Sequence, residues 1–179
     1  LEPPSTGWDL HCHTVYSDGT ETPASLVAQA EALGLQGVAI TDHDTTAGWA
    51  DAALAARQLG EPVLRGSEIT SDDDGISVHM LAYQYDPTSA VITELFSRTR
   101  HARIRRTEHM VEALSKDYPI TWQDVLAQAK EGGSTTVGRP HIADALVAKG
   151  VYATRSQAFA GILSVTSEYY IPTPSPSTH

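Results

Sequence analysis

At 179 residues, with 41% hydrophobic and 19% charged residues, the chain has the size and composition of one globular domain or one domain plus a small addition, not of a disordered protein. Its 22 acidic residues against 12 basic ones give a net charge of −10. That argues against a duplex-binding surface, where many Lys and Arg contacts to phosphate supply the affinity, but leaves room for a small phosphorylated substrate. No apolar run reaches the roughly 18 residues that would cross a bilayer. Leu1-Glu2-Pro3-Pro4 lacks a basic start and an apolar core, and the single cysteine cannot form an internal disulfide, so a cytoplasmic protein is expected.

The first strand is predicted at Asp9-Leu10-His11-Cys12-His13. Side chains alternate across a pleat, so His11 and His13 share one face while Leu10 and Cys12 point the other way, toward a core. A lone His-x-His can be an ordinary structural or surface pair; carboxylates arriving from the next loops would make it a divalent-metal site. A helix follows, with Thr22 as cap, Pro23 at its first position, Leu26, Ala30 and Leu33 on one face, and Gly34 past its end. Gly37-Val38-Ala39-Ile40 reads as a short apolar strand leading into Thr41-Asp42-His43-Asp44. A second helix spans about Ala47 to Leu59 and closes at Gly60. Pro62-Val63-Leu64 is a third strand with Gly66-Ser67-Glu68 at its end. Ile76 to Tyr85 alternates as a fourth, with His79, Leu81 and Tyr83 on one face. Strand, helix, strand, helix, strand predicts parallel pairing in a barrel-like α/β fold. His43 and Glu68 then fall at the C-terminal ends of strands, the face where barrels do their chemistry.

From about Pro87 to Pro172 the pattern turns helical. A long helix is predicted from Thr88 to Lys116, with a stripe of Ile92, Phe96, Thr99, Arg103, Arg106, Met110 and Leu114. The two arginines either snorkel, with heads in water, or close over an anionic ligand. Thr121-Trp122-Gln123-Asp124 resembles a capping box. Gly138-Arg139-Pro140-His141 opens a further helix that ends at Gly150. Arg139 and His141 thus flank a helix N-terminus, where ordinary capping or anion binding is the choice. Ile171 to Ser177 reads as a Pro/Ser linker. The predicted division is a metal-bearing part over 1–86, a helical part over 87–172, and a linker over 173–179 returning to the first part.

Six candidate ligands emerge: His11, His13, Asp18, His43, Glu68 and His79. They are nitrogen and oxygen donors without a thiolate, a set that suits Zn, Mn or Fe better than Ca. Glu68 could bridge two ions. Such a cluster activates water without any Ser or Cys nucleophile. Neither a nucleotide-triphosphatase Gly-rich loop nor a Gly-x-Ser-x-Gly elbow is present.

In order and spacing, Asp9-Leu10-His11-Cys12-His13, Ser17-Asp18-Gly19, Ile40-Thr41-Asp42-His43-Asp44, Gly66-Ser67-Glu68-Ile69 and Val78-His79-Met80-Leu81 resemble the polymerase-and-histidinol-phosphatase (PHP) family of metal-dependent phosphoesterases. Gly138-Arg139-Pro140-His141-Ile142-Ala143 looks like part of the insertion of one branch, which contains nucleoside 3′,5′-bisphosphate phosphatases and 5′-to-3′ exoribonucleases acting on short RNA. The resemblance implies a distorted (β/α)7 TIM-like barrel with a helical insertion and two or three divalent metals (Mn, Zn or Fe). It implies that His11, His13 and Glu68 hold the first metal, that Glu68 and His79 help hold the second, and that Asp18 and His43 serve the third. Asp18, His43 and Glu68 would form the catalytic set. Asp42 and Asp44 would orient imidazoles or contact substrate, and Arg139, His141, Arg103 and Arg106 would bind substrate phosphate. The implied substrate is a small nucleotide or short oligoribonucleotide, with no duplex DNA and no membrane as partner. Two other readings stay open: a phosphatase of histidinol phosphate or another small phosphomonoester, and a non-catalytic metal-stabilised module. The family also draws a His and an Asp-x-His pair from its C-terminal third. Only His179 lies late in this chain, so the remaining ligands and the closing strands are expected on a part beyond it.

Overall fold

Three parallel strands and one antiparallel return strand build the sheet that carries the candidate site. A computed structural model describes residues 7–73 and 76–172, so the predicted linker over 173–179 lies outside the described residues. In chain order the elements are β1 (Trp8–Cys12), α1 (Pro23–Ala32), β2 (Gly37–Ile40), α2 (Trp49–Leu59), β3 (Val63–Asp73), β4 (Ile76–Tyr83), α3 (Ala90–Leu114), α4 (Trp122–Leu126), α5 (Arg139–Ala148) and α6 (Arg155–Ala160). The sheet order is β1-β2-β3-β4. β1, β2 and the start of β3 pair in parallel, as the alternation of strands and helices predicts, and β4 pairs antiparallel to β3.

The local signals for α1 hold. Thr22 accepts from the Ser25 amide at 3.1 Å, and Pro23 opens the helix. Its buried face is Pro23, Val27 and Ala30, however, not Leu26, Ala30 and Leu33. At about 100° per residue those three fall in one narrow arc, while Leu26 and Leu33 sit on its shoulder, so Leu33 is exposed. Leu10 is also exposed, at 46%, against expectation. Among the described residues β1 is an edge strand that pairs along its ladder with β2 alone, so one side of it, with Leu10, stays half open to solvent. Cys12 does pack toward the small core of Val27, Ala30, Val38 and Ala55.

β3 is much longer than its apolar start suggests. Val63 to Arg65 pair with β2, and Gly66 to Asp73 continue in a hairpin with β4. Glu68 is therefore inside a strand rather than after one. It still emerges just past the parallel pairing, and His43 makes an isolated parallel bridge to it.

The helical half has its own core, in which Met110 and Leu114 of α3 meet Val125, Ile142, Leu146 and Leu163. The α3 stripe is realised, with Phe96, Thr99, Arg106, Met110 and Leu114 all buried. The capping box of α4 forms: the Thr121 amide donates to Asp124 Oδ2 at 2.9 Å and the Asp124 amide to Thr121 Oγ1 at 3.2 Å. Among the described residues no helix is long and apolar enough to cross a membrane.

Candidate metal centre

Glu68 is buried and stands at the centre of the cluster. Its Oε2 lies 2.6 Å from His11 Nε2 and 2.9 Å from His13 Nε2, and its Oε1 meets His79 Nδ1. His11 in β1 and His13, just past its end, bring their imidazoles to the same carboxylate oxygen, 3.0 Å apart at their Nε2 atoms. On the far side Asp18 places Oδ1 3.2 Å from His13 Nδ1 and Oδ2 3.6 Å from His43 Nε2. All six candidate ligands thus converge. They fall into three overlapping sets, His11/His13/Glu68, His13/Asp18/His43 and His43/Glu68/His79, with the donor atoms of each set within 4.8 Å of one another. This arrangement fits divalent metal. The nitrogens of two rings and a shared carboxylate oxygen point at common positions, and two carboxylates supply the negative charge.

The electrostatics agree. Burial alone would raise the Glu68 pKa, but hydrogen bonds from His13 and His79 and the charge of His43 outweigh it and hold the carboxyl below its usual range. Asp18 is likewise held low against burial by His43, His13 and Arg103. Burial disfavours the charged His13 ring, yet Glu68 and Asp18 raise its pKa.

The aspartates behind the ligands act as struts. Asp42 accepts from the Thr14 amide at 2.7 Å, from Thr14 Oγ1 at 2.7 Å and from Ser17 Oγ at 2.6 Å. It connects to an imidazole through Ser17, whose Oγ lies 3.3 Å from His13 Nδ1. The loop so pinned turns at Gly19, where an added Cβ would lie 2.2 Å from the His13 carbonyl oxygen. Asp44 is fully buried at φ 50°. Its Oδ1 accepts from the Thr70 amide at 3.2 Å, its Oδ2 from Arg103 Nε at 3.2 Å, and its carbonyl from Arg100 Nη1 at 2.7 Å.

The four basic residues of the expected substrate set divide three ways. Arg103 reaches the cluster: it donates to Thr70 Oγ1, and its Nη2 lies 3.4 Å from His43 Nδ1. Arg106 and Arg139 instead share Tyr170, each 5.3 Å from its ring. Arg106 donates to the Ile171 carbonyl, and Arg139 to the Leu163 carbonyl at 3.1 Å. Burial, with the charge of Arg139 nearby, pulls the Arg106 guanidinium down to about 10. His141 is buried and accepts at Nδ1 from the Gly138 amide at 3.1 Å. Arg139 and His141 are two positions apart and leave α5 about 200° apart.

Three contributors have no counterpart in the sequence reading. Arg100 lies three residues before Arg103, on the same helix face, and that spacing could have flagged it. Thr136 donates to the His43 carbonyl at 2.5 Å. Arg155 donates from Nη1 to the Asp18 carbonyl at 2.8 Å. Nothing local marks the last two, because their partners are distant in sequence.

A parallel sheet whose strand ends gather four histidines and two carboxylates is the frame of an α/β metal-binding domain. The chain belongs to the PHP domain family, whose pattern matches residues 9–170. It is 34% identical over 153 residues to a 5′-3′ exoribonuclease of Haemophilus influenzae, covering 85% of this chain and 54% of that protein. It is 29% identical over 170 residues to a 3′,5′-nucleoside bisphosphate phosphatase of Chromobacterium violaceum, covering 91% and 57%. A crystal structure assigned as a metal-dependent phosphoesterase of Bifidobacterium adolescentis matches with a TM-score of 0.96 and 67% identity, over 99% of this chain and 62% of that one. The chain thus spans little more than half the length of these relatives.

Proposed function

We propose that this chain is the metal-binding part of a phosphoesterase that hydrolyses phosphate esters of nucleotides, as a nucleoside 3′,5′-bisphosphate phosphatase, a 5′-to-3′ exonuclease on short RNA, or both. The observation that carries the reading is the convergence of six donors in three overlapping sets, with an arginine at their edge. We read residues 1–86 as the first part of a distorted (β/α)7 barrel and 87–172 as a helical insertion, in a cytoplasmic protein. His11, His13 and Glu68 would hold one ion, His43, Glu68 and His79 a second, and His13, Asp18 and His43 a third, with Mn, Zn or Fe as candidates. Divalent ions so held supply Lewis acidity toward phosphoryl oxygens and acidify water.

The chain's own residues do the rest. Asp44 holds the Arg103 guanidinium beside His43, where it offers a charge-assisted hydrogen bond to a phosphoryl oxygen. Among the described residues Arg106 and Arg139 pair with backbone carbonyls and with Tyr170 and not with a carboxylate, which suits a second phosphate away from the scissile one. The test is phosphate release by the complete protein with Mn²⁺ on nucleoside bisphosphates, short RNA, histidinol phosphate and an aryl phosphate. Preference for the first two supports the reading. A preference for histidinol phosphate, or no turnover of any, overturns it.

A further inference from the structure

Behind the loop that carries Asp18 lies a cavity of about 630 Å³, between that loop, the chain after α4, one face of α5 and the start of α6. None of the six candidate metal ligands lines it. Its size is that of a pocket for a small organic ligand. What lines it determines which ligand.

His141 lines this cavity and is only 3% exposed. Its one hydrogen bond among the described residues is at Nδ1, accepting from the Gly138 amide. An accepting Nδ1 is unprotonated, so the neutral ring carries its proton on Nε2. That N–H has no partner among the described residues. Lys130, also in the wall, rests 4.9 Å over the Tyr16 ring and pairs with no carboxylate among the described residues. One acid lines the cavity, Asp144, and Arg155 neutralises it through two bonds of 2.8 and 2.5 Å. Two cations against one anion leave the lining positive in a chain of net charge −10. Val15 and Val147 add apolar surface to the same lining.

We propose that this cavity is a second anion site, apart from the metal centre, that takes an organic phosphate with a flat apolar body, of the size of a nucleoside monophosphate. Lys130 and the His141 Nε2–H receive the phosphate, and Val15 and Val147 pack against the body. The site adjoins the metal centre mechanically, because Arg155 lines the cavity and also holds the Asp18 carbonyl. Binding here does not depend on which ester the metal centre hydrolyses.

The probe is a non-hydrolysable phosphonate analogue of AMP, titrated into the complete metal-loaded protein by equilibrium dialysis. One bound molecule per chain is expected at this cavity, in addition to any held at the metal centre. Lys130→Ala should weaken one class by about tenfold or more, as loss of a charge-assisted hydrogen bond does, and leave the other unchanged. Lys130→Glu should remove it. Lys130 is exposed, so both variants keep the fold, which a thermal melt verifies. Adenosine, lacking the anion, should not compete for the weakened class. No bound class sensitive to the Lys130 substitutions, or full competition for that class by adenosine, would each overturn the proposal, whether or not a second molecule binds at the metal centre. None of these outcomes requires turnover, so they stand apart from the substrate test of the metal centre.

Discussion

Arg155, at the start of α6, donates from Nη1 to the backbone carbonyl of Asp18 across a separation of 137 residues, at 2.8 Å. The same guanidinium is bidentate to Asp144 on α5. A residue of the helical half therefore fixes the backbone of a candidate metal ligand in the sheet half. If Asp18, His13 and His43 hold an ion as proposed, substituting Arg155 by Ala should loosen Asp18 and weaken that ion's binding by about 10–100-fold, the usual effect of removing an outer partner of a metal ligand. Arg155→Lys should not rescue it, since an ammonium lacks the fork that engages Asp144 and Asp18 together. Metal titration by calorimetry reads this directly. Unchanged affinity in Arg155→Ala would leave the contact a packing detail.

Glu68 belongs to two of the three donor sets at once. Glu68→Gln keeps the shape but removes the charge that draws His11, His13 and His79 together. Metal content measured by elemental analysis should fall at both sets, and turnover should nearly vanish. Full metal occupancy with a near-normal rate would remove the bridging role.

Arg139 and Arg103 should separate selectivity from chemistry. Among the described residues Arg139 stacks on Tyr170 and Phe159 and donates to the Leu163 carbonyl, whereas Arg103 sits against His43. Losing a charge-assisted hydrogen bond costs about 1.5–3 kcal/mol. Arg139→Ala should thus weaken a nucleoside bisphosphate about tenfold to a hundredfold in kcat/KM while sparing an aryl phosphate. Arg103→Ala should reduce both substrates. Equal losses on both in Arg139→Ala would give that residue a folding or catalytic role instead.

How much of this was legible in the sequence depends on the range of each interaction. His11 and His13 could be paired from strand alternation, and the α1 and α4 caps from three-residue spacings, because these are local. The parallel start of the sheet followed from alternating short strands and helices. The length of β3 did not, because Ile69 to Asp73 are held in a strand by β4, a partner supplied from outside their own window. Leu10 was misplaced for a related reason: its pattern says which way it points but not whether anything covers that face. Arg103 was visible as an interruption of an apolar stripe, yet its choice of Asp44 rather than water or a ligand needed the fold. Arg155 and Thr136 left no trace, since a single residue that acts on a backbone carbonyl about a hundred positions away creates no periodicity.

The pH dependence of stability should bear the mark of His141. Burial holds its pKa below the ordinary histidine value, with the charge of Arg155 acting in the same direction and Asp144, Asp18 and the Gly138 contact opposing. The unfolded chain therefore takes up a proton at His141 at a pH where the folded chain does not. Where the unfolded state binds more protons, stability rises with pH. The contribution is fully present above about 6.5, the unfolded value, and is lost as pH falls through the lower folded pKa. Protonation at Nδ1 would also set a second donor against the Gly138 amide. His141→Gln does not titrate but retains an acceptor for that amide. In chelator-treated protein, where metal release cannot contribute, thermal melts between pH 7.5 and pH 5 should show a steeper acid-side loss in the unaltered protein than in His141→Gln. Parallel curves for the two would mean that His141 does not titrate differently on unfolding, and that its burial has no energetic expression in this range.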